Sequence, residues 1–266
     1  MMSIVDTFMK RHTVCDFTGQ LPEDKQKILE QTLENVNKIT PPFKTNVKLA
    51  LTGPGIGTND AMLDEAGWIV QLIPESAENT PDLEKYQIDG TFLASLAVME
   101  LYRHDIGTCW VAGTYDRKIT ESRFPGYKIY CVVSYGIAAP VTRKGHHDKP
   151  RTRFEMNQLF YDLKKNSPIS DETGTRKTLL ECLRWLPSGM NSQSWRLAID
   201  FENGQFKVYN NPGTYPRAVL NVGIMLSGFY FFFDGKCTFN ASSNEEEYPT
   251  GGKYYCTVSV DPSLIQ

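Results

Sequence analysis

The sequence predicts an α+β protein built from two related halves, and three observations carry that prediction. Amphipathic helical stripes alternate along the chain with short β-branched and aromatic runs of strand character. Two segments, 89–102 and 216–233, are apolar almost all round, as helices buried on most sides are. One order of features also occurs twice: a helix, a Pro-x-x-x-Asn loop (Pro42 to Asn46, then Pro187 to Asn191), a strand, and an apolar helix bearing a glycine (Gly90, then Gly223). That is the pattern of an internal duplication, with halves expected over 1–165 and 166–266 that form one compact pseudo-dimeric unit.

The elements follow in order. Residues 3–10 read as a short helix, and Pro22 opens a second whose stripe is Ile28, Leu29, Thr32, Leu33, Val36 and Ile39, ending at Pro41-Pro42. Residues 46–51 alternate as a strand. The glycines at 53, 55 and 57 lack the Lys-Ser/Thr of a phosphate loop and read as a turn. A strand over 68–72 precedes the first apolar helix, and 127–138 is the most strand-like run, expected as one central strand. A helix is expected over 154–164, a polar linker to 175, and a helix over 176–185. A hairpin of strands 196–201 and 206–209 turns through Asn203-Gly204, and 253–260 closes the chain as a strand.

Composition narrows the function. With a formal net charge of -3, the chain offers no electrostatic reason to bind nucleic acid or an anionic membrane. Its six cysteines are scattered without a Cys-x-x-Cys pair, which argues against a disulfide framework and a zinc site. The adjacent His146 and His147 have no acid or cysteine at ligand spacing and read as solvated loop residues, so no metal is expected. Residues 1–10 lack the basic start and apolar run of a signal peptide, and the most apolar stretch, 219–233, contains Asn221 and is too short to span a bilayer. The expectation is a soluble, cytoplasmic protein.

Three stretches carry candidate chemistry. In 187–196 a helix, a tight polar loop and a strand meet; Ser188, Asn191 and Gln193 either cap backbone or grip a flat heteroaromatic, beside N–H groups that Gly189 leaves unobstructed. Gly107 and Gly113 bracket an extended apolar run, either a core strand or backbone that a planar ligand can approach. Lys10-Arg11-His12-Thr13 is either a solvated patch or, through the guanidinium fork and the hydroxyl, a phosphate holder.

The order Pro187-Ser188-Gly189-Met190-Asn191-Ser192-Gln193-Ser194-Trp195 resembles the flavin-binding loop Pro-Ser-x-x-Asn-x-Gln-Pro-Trp of the nitroreductase-like family, with Ser194 for the second proline. Arg11, Thr13 and Phe17 resemble that family's opening motif, with Cys15 where a second basic residue is usual, and Gly107-Thr108-Cys109-Trp110-Val111-Ala112-Gly113 resembles the segment that passes along its flavin ring. The resemblance implies the nitroreductase fold, with mixed, mainly antiparallel sheets and packed helices in each half. It implies FMN as cofactor, held by Arg11, His12, Thr13, Trp110, Val111, Ala112, Gly113, Arg151, Arg153, Pro187, Ser188, Gly189, Met190, Asn191 and Gln193. It further implies NADH or NADPH as reductant, a nitroaromatic, quinone or similar small acceptor, ping-pong kinetics, and no catalytic side chain. Cys109, in its apolar setting, reads as packing. Ordinary members are dimers that share a flavin site, so a duplicated chain is expected as a monomeric pseudo-dimer with one flavin, open to further homodimerisation. Cys15 motivates the alternative of a non-catalytic flavin-storage protein.

Overall fold

Local signals set the first helices. α1 (Ile4–Lys10) starts where the Ser3 hydroxyl accepts from the Asp6 N–H and ends on Lys10, whose ammonium pairs with Asp6 one turn back. α2 (Glu23–Val36) follows Pro22 and buries Leu29, Leu33 and Val36. Asn37 ends it and also reaches sideways, where its carboxamide bonds both the N–H and the C=O of Leu49 and so occupies the outer edge of β1 (Lys48–Thr52). The computed structural model describes residues 2–140, 152–211, 213, 215–241 and 251–266. They fall into two compact units, 1–151 and 152–266, so that 152–165 group with the second.

The first unit continues with β2 (Gly67–Pro74), α3 (Leu83–Arg103), β3 (Gly107–Val111), α4 (Arg117–Arg123), β4 (Tyr127–Lys128) and β5 (Val132–Gly136). Its antiparallel sheet has the order β1-β2-β5-β3, with β4 on the end of β2. Trp68 and Val70 point from one face of β2 into a cluster with Cys15, Ile56, Cys109, Val111, Ile129 and Val132. On the other face Gln71 lies against Gly90 of α3. The single strand expected over 127–138 is split, because side chains take the backbone groups of Ile129: the Glu121 carboxylate accepts from its N–H and the Tyr115 hydroxyl donates to its C=O. α3 begins six residues before the apolar run, since its first turns are not buried and carry no apolar stripe.

The second unit holds α5 (Met156–Leu159), β6 (Phe160–Asp162), β7 (Ser167–Pro168), α6 (Gly174–Arg184), β8 (Trp195–Asp200), β9 (Gln205–Asn210), α7 (Val219–Phe232), β10 (Thr238–Asn240) and β11 (Lys253–Ser259). The helix expected over 154–164 is a single turn; the aromatic pair Phe160-Tyr161 goes instead into β6, which joins β8 in parallel. The sheet order is β10-β11-β9-β8-β6-β7. In both units a helix and a loop lead into an antiparallel hairpin, an apolar helix, and two further strands. Those strands sit in the same order, β3-β5-β2-β1 in the first unit and β10-β11-β9-β8 in the second. The fold class is therefore α+β with mainly antiparallel sheets, as the sequence predicts. Among the described residues no helix is long and apolar enough to cross a membrane.

Each apolar helix carries one buried polar residue in reach of the loop before its hairpin. In α3 the Asp89 carboxylate accepts from the Phe43 N–H (2.9 Å), the Thr45 N–H (3.0 Å) and the Thr45 hydroxyl (2.9 Å). Burial pushes this carboxyl up from 3.8 to about 6 against those three bonds. The folded state thus holds a proton more tightly than the unfolded chain between these values, so this group costs stability as pH rises through that window. Urea unfolding of the wild type and Asp89→Asn at intervals from pH 4 to pH 7 checks this. The wild type should lose roughly 2 kcal/mol relative to the variant across the range, whereas a difference independent of pH would contradict it.

Candidate functional site

The loop between α6 and β8 is wound tightly against its own backbone preference. Met190, Asn191 and Gln193 have φ of 52°, 55° and 44°, the left-handed region that a non-glycine residue enters only when its surroundings hold it there. The holding groups are explicit. The Ser188 hydroxyl accepts from the Gln193 N–H (3.0 Å). Asn221, buried in α7, accepts from the Gly189 N–H (3.0 Å) and donates to the hydroxyls of Ser192 (3.0 Å) and Ser194 (2.9 Å). A Cβ on Gly189 would strike the Tyr215 ring, so glycine is what admits this close approach.

The same loop meets the segment before α5. The Arg153 guanidinium donates to Asn191 Oδ1 (2.7 Å) and lies over the Trp185 ring at 5.3 Å, while the Asn191 amide donates to the backbone and hydroxyl oxygens of Thr152 (3.2 and 3.3 Å). Gln193 accepts from the Phe154 N–H (2.7 Å) and donates to the Asn191 C=O (3.1 Å). Arg153, Ser188, Gly189, Asn191 and Gln193 are therefore brought together in the second unit. Within that set Gln193 is buried and holds backbone, whereas Met190 is 89% exposed at the tip. Below the loop, Trp195 and Asn210 face each other across the β8–β9 ladder, and the buried indole N–H and carboxamide oxygen there have no partner among the described residues.

In the first unit Arg11 ends α1 with its side chain buried, while His12 and Thr13 are exposed. The Tyr102 hydroxyl donates to Lys10 C=O (2.7 Å) and the Val14 N–H donates to Thr108 C=O (3.0 Å), which lays this segment along β3. Val111 ends the β3 ladder; the half-buried Ala112 and the exposed Gly113 follow it out of the sheet, and the buried indole N–H of Trp110 has no partner among the described residues. Arg151 and the paired histidines lie outside the described residues. Among the described residues no group of three or more His, Cys, Asp or Glu is placed to hold a metal. Sequence reasoning missed Asn221, Trp185 and Tyr215. The available signal was Asn221 itself, since a lone amide in a helix apolar on all sides needs buried partners.

Comparison with known proteins adds a family. The family model described as "Putative TM nitroreductase" matches residues 3–231. Two solved structures, each described as a "putative nitroreductase", are similar. One, from Thermotoga maritima msb8, is 18% identical, with 98% of this chain and 95% of that chain covered and a TM-score of 0.63. The other, from Exiguobacterium sibiricum 255-15 and in complex with FMN, is 10% identical, with 59% and 96% covered and a TM-score of 0.47. No curated protein matches the sequence.

The loop geometry yields its own test. Asn221→Leu keeps the side-chain volume but strips the Gly189 N–H and two serine hydroxyls of their partner. Chemical denaturation should show a loss of about 2–4 kcal/mol, and a loss below about 0.5 kcal/mol would mean that the loop does not depend on this amide.

Proposed function

The chain belongs to the "Putative TM nitroreductase" family, and from that premise we propose that it is an FMN-dependent oxidoreductase passing two electrons from NADH or NADPH to a nitroaromatic, a quinone or a similar small acceptor. The observation that carries this reading is the 187–195 loop. Its Pro-Ser-x-x-Asn-x-Gln-x-Trp order coincides with three left-handed residues pinned by a buried amide and with a cation, Arg153, bonded to Asn191. Backbone strain held by this many bonds accompanies functional loops more than neutral connections.

The residues fit the cofactor on chemical grounds. A phosphate calls for cations and hydroxyls; the first unit offers Arg11 and Thr13, the second offers Arg153, and Arg151 is assigned to this role from sequence. A flavin ring calls for flat apolar walls and donors and acceptors along its edge. Trp110 carries an unpartnered indole N–H, Ala112 and Gly113 lie beyond the ladder, and Ser188 has its own O–H to donate while accepting from Gln193. We assign Pro187, Ser188, Gly189, Met190 and Asn191 to ring contacts, with His12, Val111 and Gln193 completing the set; Gln193 acts by holding the loop in shape.

FMN, when bound, would supply the two-electron chemistry that a ping-pong exchange between reductant and acceptor needs. The chain's residues bind and orient. The binding reading asks Arg153 to keep its charge toward the phosphate while Asn191 and Trp185 fix the guanidinium plane. No side-chain acid or base is required. The strand order shared by the two units supports an internal duplication; we add, from the family resemblance alone, a cytoplasmic monomer with one flavin.

The test is the visible spectrum of the protein after incubation with FMN and desalting, then anaerobic titration with NADH and with NADPH. Retained flavin that bleaches with either nucleotide and recovers its colour with a nitroaromatic is the expected result, and Asn191→Ala should weaken FMN binding by about tenfold, ~1.4 kcal/mol. Flavin that bleaches with dithionite alone would favour storage over catalysis. No retained flavin would end the proposal.

A further inference from the structure

Cys15 and Cys109 are 94 residues apart in the chain, yet their sulfurs touch at 3.5 Å in the first unit. Both backbones are fixed. The residue before Cys15 donates its N–H to Thr108 C=O (3.0 Å), and Cys15 C=O accepts from the Leu63 N–H (3.0 Å). Cys109 sits in the middle of β3, paired with Ser134 of β5. The pair is buried in the cluster of Ile56, Trp68, Val70 and Val111, so neither sulfur is turned to bulk solvent. Cys109 packs in the core as the sequence suggests, and the same packing brings a second thiol into contact with it.

We propose that Cys15 and Cys109 are a two-electron dithiol/disulfide pair, a modification site for hydroperoxides that fastens the segment carrying Arg11 and Thr13 to β3. Contact at this distance leaves a sulfur–sulfur closure of only about 1.5 Å to reach a covalent bond, and the pair joins two segments that already run side by side. Hydrogen peroxide is little larger than water and enters where bulky disulfide reagents do not.

The chemistry balances in two steps. One sulfur, as thiolate, attacks the peroxide O–O bond and becomes a sulfenic acid, and the hydroxide released takes the thiol's proton to leave as water. The other thiol then attacks the sulfenic sulfur; the S–S bond forms, the S–OH bond breaks, and a second water leaves with that thiol's proton. An external dithiol reverses the change by exchange, ending as a disulfide itself. The bond to Cys15 and burial hold the Cys109 thiol protonated, well above the ordinary range, while the buried Arg11 guanidinium favours its thiolate. Oxidation is therefore expected to be slow at neutral pH and faster in alkali. The inference does not rest on flavin binding.

The experiment uses the full chain, reduced and desalted, then exposed to hydrogen peroxide at pH 7 and pH 9, alkylated under denaturing conditions and mapped by mass spectrometry. The expected result is loss of two of the six thiols, a mass lower by ~2 Da, a crosslinked peptide joining Cys15 to Cys109, and recovery with dithiothreitol. Cys15→Ser and Cys109→Ser should each abolish the crosslink, leaving the remaining partner as sulfinic acid. A crosslink joining Cys109 to Cys131 would overturn the assignment. So would six intact thiols after prolonged exposure, or sulfinic acid at either cysteine of the wild type with no crosslink. The peptide map of the wild type decides the matter even where a variant fails to fold.

Discussion

A single buried amide holds the candidate site together. Asn221 lies buried in a mostly apolar helix, and its desolvation is offset by the bonds it makes to the loop: one acceptor to the Gly189 N–H and donors to Ser192 and Ser194. That clamp is what keeps Met190, Asn191 and Gln193 in left-handed conformations, and those conformations in turn aim Asn191 at Arg153. The same device serves the first unit with an opposite electrical character. Asp89 takes the place in α3 that Asn221 has in α7, but a carboxylate accepts only, so it grips backbone N–H groups and a hydroxyl and carries the penalty of a buried charge.

The two units share a strand order, yet they present different chemistry at their loops. The second unit exposes Met190 and Asn191 at the tip of a strained loop. In the first, the corresponding loop turns its N–H groups inward to Asp89. In the first unit the absence of a side chain on Gly107 lets Val14 pack directly on β3, with the Val14 N–H bonded to Thr108 C=O and Cys15 against Cys109. A Cβ at Gly107 would collide with the valine and push this segment off the sheet.

Much of this was legible in the residues. The amphipathic stripe of α2, the two apolar helices, the Asn203-Gly204 hairpin and the loop after α6 all stand where periodicity and turn chemistry indicate. Errors arose where side chains compete with the ladder or where short aromatic runs fit both periods. The 127–138 strand is broken because Glu121 and Tyr115 capture the groups of Ile129, and the 154–164 helix yields to β6 because Phe160 and Tyr161, aromatic residues of high strand preference, pair between β8 and β7. β8, the strand that takes up Phe160 and Tyr161, comes from beyond α6.

The fold class, most of the element order and the chemical types available at the loops follow from hydrophobic period, turn residues and motif order, all of which are local. Which polar groups are already engaged is settled by folding alone. Gln193 is occupied by Phe154, Asn191 by Arg153 and Thr152, Asn221 by a loop some thirty residues before it, and Cys15 meets Cys109 across 94 residues. A buried hydrogen bond or a sulfur contact is set by distances of a few ångströms between segments remote in the chain, and no pattern along the chain encodes such a distance.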